Sequence, residues 1–113
     1  MSLASPAAAG GYNLNSQVTC PSTVDAASWL NWWGQSPSAS GHTDGTLYWW
    51  NTTSEVWVPM ASGGNDDYGS SGNAQVDNHH GCIVGHWWEY GAHTASFFSG
   101  TKNSNDVIYC SCN

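Results

Sequence analysis

Cys110 and Cys112 stand one residue apart near the C-terminal end, and the remaining cysteines are Cys20 and Cys82. An even number of cysteines in so short a chain reads as two disulfides formed in an oxidising compartment, so the expected localisation is secreted. A zinc site is the rival reading. Four thiolate ligands normally come as two short knuckles, and this chain offers a single close pair with a one-residue gap. A bridge between Cys110 and Cys112 would close so small a ring that the backbone is strained. Two pairings remain: Cys20–Cys110 with Cys82–Cys112, or Cys20–Cys112 with Cys82–Cys110. Either one ties the first third and the middle of the chain to its last segment, each bridge contributing about 2–5 kcal/mol.

Charge narrows the function classes. Of 113 residues, one is Lys or Arg (Lys102) and eight are Asp or Glu, giving a formal net charge of −7. Nucleic-acid binding needs Lys and Arg to displace counterions from phosphates, so no nucleic-acid partner is expected. Phosphoryl-transfer chemistry is excluded on the same ground, and no P-loop or kinase pattern is present. A polybasic membrane anchor is absent, and no apolar run approaches the roughly eighteen residues of a membrane span, so no membrane insertion is expected. Residues 1–10, MSLASPAAAG, read as a disordered tail or a processing or expression remnant, and residues 11–113 as a single stapled domain. Asn51-Thr52-Thr53 is a glycosylation sequon.

The expected fold is α+β: one N-terminal helix packed on an antiparallel sheet of about five strands, with two disulfides. Ser22 suits an N-cap with Asp25 three residues on, Val24, Ala27, Trp29, Leu30 and Trp33 recur near helical spacing, and Gly34 ends the run. Residues 35–46 read as a turn-rich loop. Leu47–Asn51 and Glu55–Pro59 read as strands around a turn at Asn51–Ser54. Residues 61–81 read as a long Gly-rich loop, a type usually functional or mobile. Cys82–Tyr90 and Thr94–Phe98 read as strands joined across Gly91-Ala92-His93, Lys102–Asp106 as a polar turn, and Val107–Cys112 as the last strand. An all-β barrel or sandwich is the alternative, with the helix assignment at fault.

Eight tryptophans occupy the chain, six of them in the doublets Trp32-Trp33, Trp49-Trp50 and Trp87-Trp88. Adjacent strand residues point to opposite faces, so one indole of each strand doublet must leave the main core. Any single indole can fill a gap in a small core. All eight together exceed what one sheet can cover, so two or three are expected to be accessible and close enough to form a platform. An aromatic face stacks on the C–H face of a sugar ring, carboxylates accept from its hydroxyls, and neutral Asn and His side chains both accept and donate. In few charges, many Trp, Asn, Gly and Ser, and cysteine staples, the chain resembles small secreted fungal lectins. The resemblance is one of composition, without an aligned motif, and implies glycan or glycoprotein partners.

The expected activity is therefore non-enzymatic binding of neutral glycans, with no cofactor. Trp50 and Trp88 are the candidate platform. Asp67, Tyr68, Asn78, His79, His80 and Glu89 are the candidate polar partners. A homodimer would add avidity, and an exposed Trp patch could equally be its interface. Five His carry the net charge from −7 towards about −2 as pH falls through roughly 6.5, so ligand contacts through neutral His79 and His80 would weaken below about pH 6.

Other chemistries fit less well. Asn65-Asp66-Asp67-Tyr68 lacks EF-hand spacing. Asp77, His79, His80, His86 and His93 include metal-ligand types without a metal-site spacing. A small hydrolase is the enzymatic alternative, glycosidase-like through Glu55 or Glu89 with an Asp, or ribonuclease-like through His86 with Glu89 or His79 with His93. The missing Arg argues against the ribonuclease, whose phosphorane needs a cation. A secreted toxin of a fungal defence system, acting through the same sugar binding, completes the alternatives.

Overall fold

A computed structural model describes residues 10–112, and these form seven strands and no helix. The strands are β1 (Gly11–Thr19), β2 (Thr23–Trp33), β3 (Ser40–Asn51), β4 (Val56–Tyr68), β5 (Gly72–Gly81), β6 (Gly85–Ala95) and β7 (Lys102–Cys110). They make two antiparallel sheets, β1-β2-β5 and β4-β3-β6-β7, packed face to face. The fold is β-rich, and the α+β expectation is wrong. The tail expected over residues 1–10 lies, apart from Gly10, outside the described residues.

The segment expected to be helical is the central strand of the smaller sheet. Val24, Ala26, Ser28, Leu30 and Trp32 of β2 are buried in strict alternation, while Asp25, Ala27, Trp29 and Asn31 lie on the other face. Period two wins because β1 and β5 satisfy both edges of this segment in continuous register. The expected loop at 61–81 is the second half of β4, a tight turn and all of β5. The expected turns at Gly91–His93 and Lys102–Asp106 lie inside β6 and β7, and the loop at 35–46 yields to β3 from Ser40 onward.

Two apolar clusters fill the space between the sheets. Val18, Val24, Ala26, Leu47, Trp87 and Cys110 make one, and Leu30, Trp32 and Ala74 the other. Cys20–Cys110 and Cys82–Cys112 are the bridges, one of the two pairings left open by spacing. Both close the end of the sandwich beside the first cluster. Side chains also fasten the lateral edges. Asp106 of β7 accepts a hydrogen bond from the Val18 N–H of β1 at 3.0 Å, and Asn65 of β4 donates to the Gln75 carbonyl of β5 at 3.1 Å. One edge N–H of β1 and one edge carbonyl of β5 are thereby occupied.

A polar belt separates the clusters. Among the described residues, Ser16, Ser28, Thr43, Asn78, Glu89, His93 and Ser104 are the buried polar ones, and all belong to one hydrogen-bonded chain. Asn78 donates to Glu89 at 3.1 Å, and Ser28 donates to Glu89 Oε2 at 2.7 Å. Ser28 joins Ser16, Ser16 joins Ser104, Ser104 joins His93 Nε2, and His93 Nδ1 joins Thr43. Burying a carboxylate is tolerable only with such partners. Room for the belt comes from paired glycines. Gly45 and Gly91 face each other on β3 and β6, and a Cβ on Gly91 would lie 2.8 Å from both Ser28 Cβ and Ser104 Oγ.

Candidate functional site

Strand alternation splits each tryptophan doublet. Trp32, Trp49 and Trp87 turn towards the interior, and Trp33, Trp50 and Trp88 turn outward. The outward residues of the larger sheet do not scatter. Register places Trp50 opposite Trp57 on β4, and Tyr48 opposite both Pro59 on β4 and Trp88 on β6. Tyr48 and Trp88 stack with ring centroids 4.8 Å apart and planes 25° from parallel. Trp57 bridges to Trp88 and to Trp50, each at 5.3 Å, and Tyr90 extends the group from Trp88 at 5.4 Å. Five rings on three neighbouring strands thus hold one another in place. All are half-buried, so each keeps an accessible face or edge.

A hollow of about 250 Å³ opens beside this group, lined by Trp50, Trp57, His86 and Val107. The row beyond Trp88 is polar: Ser62, Thr46, Tyr90 and Asn105 are aligned across four strands. Further along the same face, His42 sits between two carboxylates. Its Nδ1 is 2.6 Å from Asp66 Oδ1 and its Nε2 is 2.9 Å from Asp44 Oδ1. Those contacts, the Asp66 hydrogen bond foremost, raise the His42 pKa above the ordinary histidine value.

Trp50 and Trp88 therefore lie on one surface, joined through Trp57, which sequence reasoning did not place with them. The period-two alternation of Tyr48, Trp50 and of Trp88, Tyr90 was the available signal. The expected polar partners do not gather around the rings. Glu89 has no exposed surface, and burial pushes its carboxyl pKa up. Asn78 is buried beside it. His80 tilts against the core indole of Trp87, at 5.5 Å. His79 is on the outer face of the smaller sheet, 2.8 Å from Asp25. Asp67 and Tyr68 end β4, some 30 Å of strand away from Trp57. Asp67 accepts the backbone N–H groups of Asn73 and Tyr68, which hold its pKa below the usual carboxylate value and brace the turn into β5.

The candidate enzymatic and metal sets are also dispersed. His93 is buried in the polar belt, where desolvation lowers its pKa, while His86 packs on Tyr109 at the outer surface. Glu55 lies in the β3–β4 turn. Among the described residues, no three His, Cys, Asp or Glu side chains converge as a metal site. None of their helices, since there are none, could cross a membrane. No protein-family model matches the chain, and no curated protein matches its sequence.

Proposed function

We propose that this chain is a secreted lectin that binds neutral glycans on the outer face of the β4-β3-β6-β7 sheet. The observation that carries the reading is the five-ring surface of Tyr48, Trp50, Trp57, Trp88 and Tyr90, whose rings are fixed by mutual contact before any ligand arrives. Preorganised aromatic area reduces the ordering cost of binding. A pyranose ring lies with its C–H face on Trp88, whose row adjoins that of Thr46 and Tyr90. Its hydroxyls reach the Thr46, Tyr90 and Asn105 row, in place of the loop residues favoured by the sequence. The charge balance supports a neutral ligand, since only one Lys and no Arg is present to attract an anion. Two disulfides are compatible with an extracellular setting.

A glycan array combined with tryptophan-fluorescence titration tests the proposal. Saturable binding of at least one neutral glycan, with quenching or a blue shift of emission, is expected. Failure to bind any neutral glycan overturns it. Size-exclusion chromatography with and without the best glycan separates a ligand surface from a dimer interface: a surface used only for self-association gives a dimer and a flat titration.

A further inference from the structure

The outer face of the other sheet is built on different lines. Trp29 is central on β2, flanked in register by Asn15 of β1 and Gln75 of β5. One row along, Asn31 is flanked by Asn13 and Asn73. One row the other way, Ala27 is flanked by Gln17 and Asp77. A half-buried indole is thus ringed by carboxamides, with no cation and no other large apolar side chain in these rows.

Two observations set this arrangement apart from an ordinary solvated sheet face. The amides on β5 are ordered along the strand: Asn73 Nδ2 donates to Gln75 Oε1 at 3.1 Å, and Gln75 Nε2 donates to Asp77 Oδ1 at 2.9 Å. Each amide in that ladder keeps a second N–H for a ligand. Next, the small side chain of Ala27 floors a hollow of about 190 Å³, rimmed by Gln17, Asp77, Asp25 and His79.

We infer that this face is a second saccharide site, in which one sugar ring stacks on Trp29 and the neighbouring ring of the same chain settles in the hollow over Ala27. Trp29 and Ala27 are two residues apart on one strand, about 7 Å. Asn15, Gln75, Gln17 and Asp77 then stand on either side of the two rings, where hydroxyls project. The ligand class is a neutral oligosaccharide: carboxamides both donate and accept, Asp25 and Asp77 accept from hydroxyls, and both carboxylates would repel an anionic sugar. The two sites face away from each other on opposite sheets, so one chain would be bivalent and would cross-link a polymer without dimerising. The inference rests on the saccharide reading of the protein but not on the aromatic face that carries it.

The test uses the intact, disulfide-bonded chain, labelled with ¹⁵N and titrated with linear hexasaccharides of glucose, N-acetylglucosamine and mannose. The indole N–H signals of Trp29 and Trp88 are assigned by their loss in Trp29→Phe and Trp88→Phe. A saturating shift of the Trp29 signal with at least one probe is expected. Ala27→Phe, an outward-facing change on the central strand of the smaller sheet, fills the hollow and should weaken that response at least tenfold while leaving any Trp88 response unchanged. A Trp88 shift with a silent Trp29 overturns the second site and leaves the first standing. A Trp29 shift with a silent Trp88 supports the second site and removes the first. Silence of both, or a Trp29 response indifferent to Ala27→Phe, overturns the inference.

Discussion

Glu89 and His93 both face the interior from β6 and are joined through three serine hydroxyls, Ser28, Ser16 and Ser104. When ionised, the carboxylate can only accept, and it then sets the direction of the whole chain. Ser28 donates to Glu89, Ser16 to Ser28, and Ser104 to Ser16. The Nε2–H of His93 must then donate to Ser104, and Nδ1 accepts from Thr43. One charge therefore fixes the tautomer of a histidine on the far side of the belt.

Cutting this chain should cost stability rather than surface function. Glu89→Ala leaves Ser28 and Asn78 without their acceptor and opens a void, a loss of about 2–4 kcal/mol. Glu89→Gln should cost less, because its new N–H group can donate to Ser28 and reverse the hydroxyls. Urea unfolding of the two variants at pH 7 measures the difference. Equal losses would show that the hydroxyl chain cannot reverse to accommodate the amide.

The same pair should leave opposed marks on the pH profile. Burial raises the Glu89 pKa, so the folded chain holds this proton more tightly than the unfolded one. Its contribution is fully present below the unfolded value and lost as pH rises through the raised folded value. For His93, desolvation lowers the pKa, so the unfolded chain binds the proton more readily. Stability from a neutral His93 is complete above the unfolded histidine value and lost as pH falls below it. His42 behaves in the reverse sense: its raised pKa gives stability below the unfolded value that fades as pH rises through the folded one. Thermal unfolding from pH 4 to 9 should show Glu89→Gln flattening the decline above roughly pH 4.5, and His42→Gln the decline above roughly pH 6.5. Unaltered slopes would mean that neither group carries linkage.

Gly91→Ala is expected to be more damaging than its size implies. The added methyl would meet Ser28 of the opposite sheet and Ser104 at 2.8 Å, so the sheets must part or the belt must break. Gly81→Ala meets nothing within 4 Å and serves as the control. A loss of about 1–3 kcal/mol is expected for the first and little for the second, by chemical denaturation.

The bridges should be unequal. Cys20–Cys110 spans 90 residues of sequence and Cys82–Cys112 spans 30. Loop-closure entropy gives about 4–5 kcal/mol for the first and about 3–4 for the second. Replacing each pair by serine and comparing unfolding midpoints checks the order, with the larger loss expected for the Cys20–Cys110 pair.

What could be read from the sequence follows from side-chain size. Tyr48, Trp50, Trp88 and Tyr90 are large and alternate, so their strands and shared face were legible. In β2, the run Ala26-Ala27-Ser28 fits period two and period 3.6 equally, because small residues do not reveal which side is buried. The inward Ser28 and Asn78 look like solvent residues until Glu89 is known to oppose them. That disguise turned β5 into a loop. In β1, Leu14 and Val18 alternate with Asn13, Asn15 and Gln17, a strand signal that a closer count of alternation would have found. Glu89 was expected among the polar partners of a ligand, but a lone carboxylate in sequence does not say whether it faces ligand or core.

The most direct test of the glycan-binding account is calorimetric titration of the best neutral glycan into the wild-type chain and into Trp88→Ala, at pH 7.5. Trp88 touches Tyr48, Trp57 and Tyr90, so its removal strips the centre of the aromatic surface. At the site on the β4-β3-β6-β7 sheet, a loss of affinity of about 10- to 100-fold is expected, as for removal of about 1–3 kcal/mol of stacking. Saturable binding in both chains with the same affinities and stoichiometry would contradict the account.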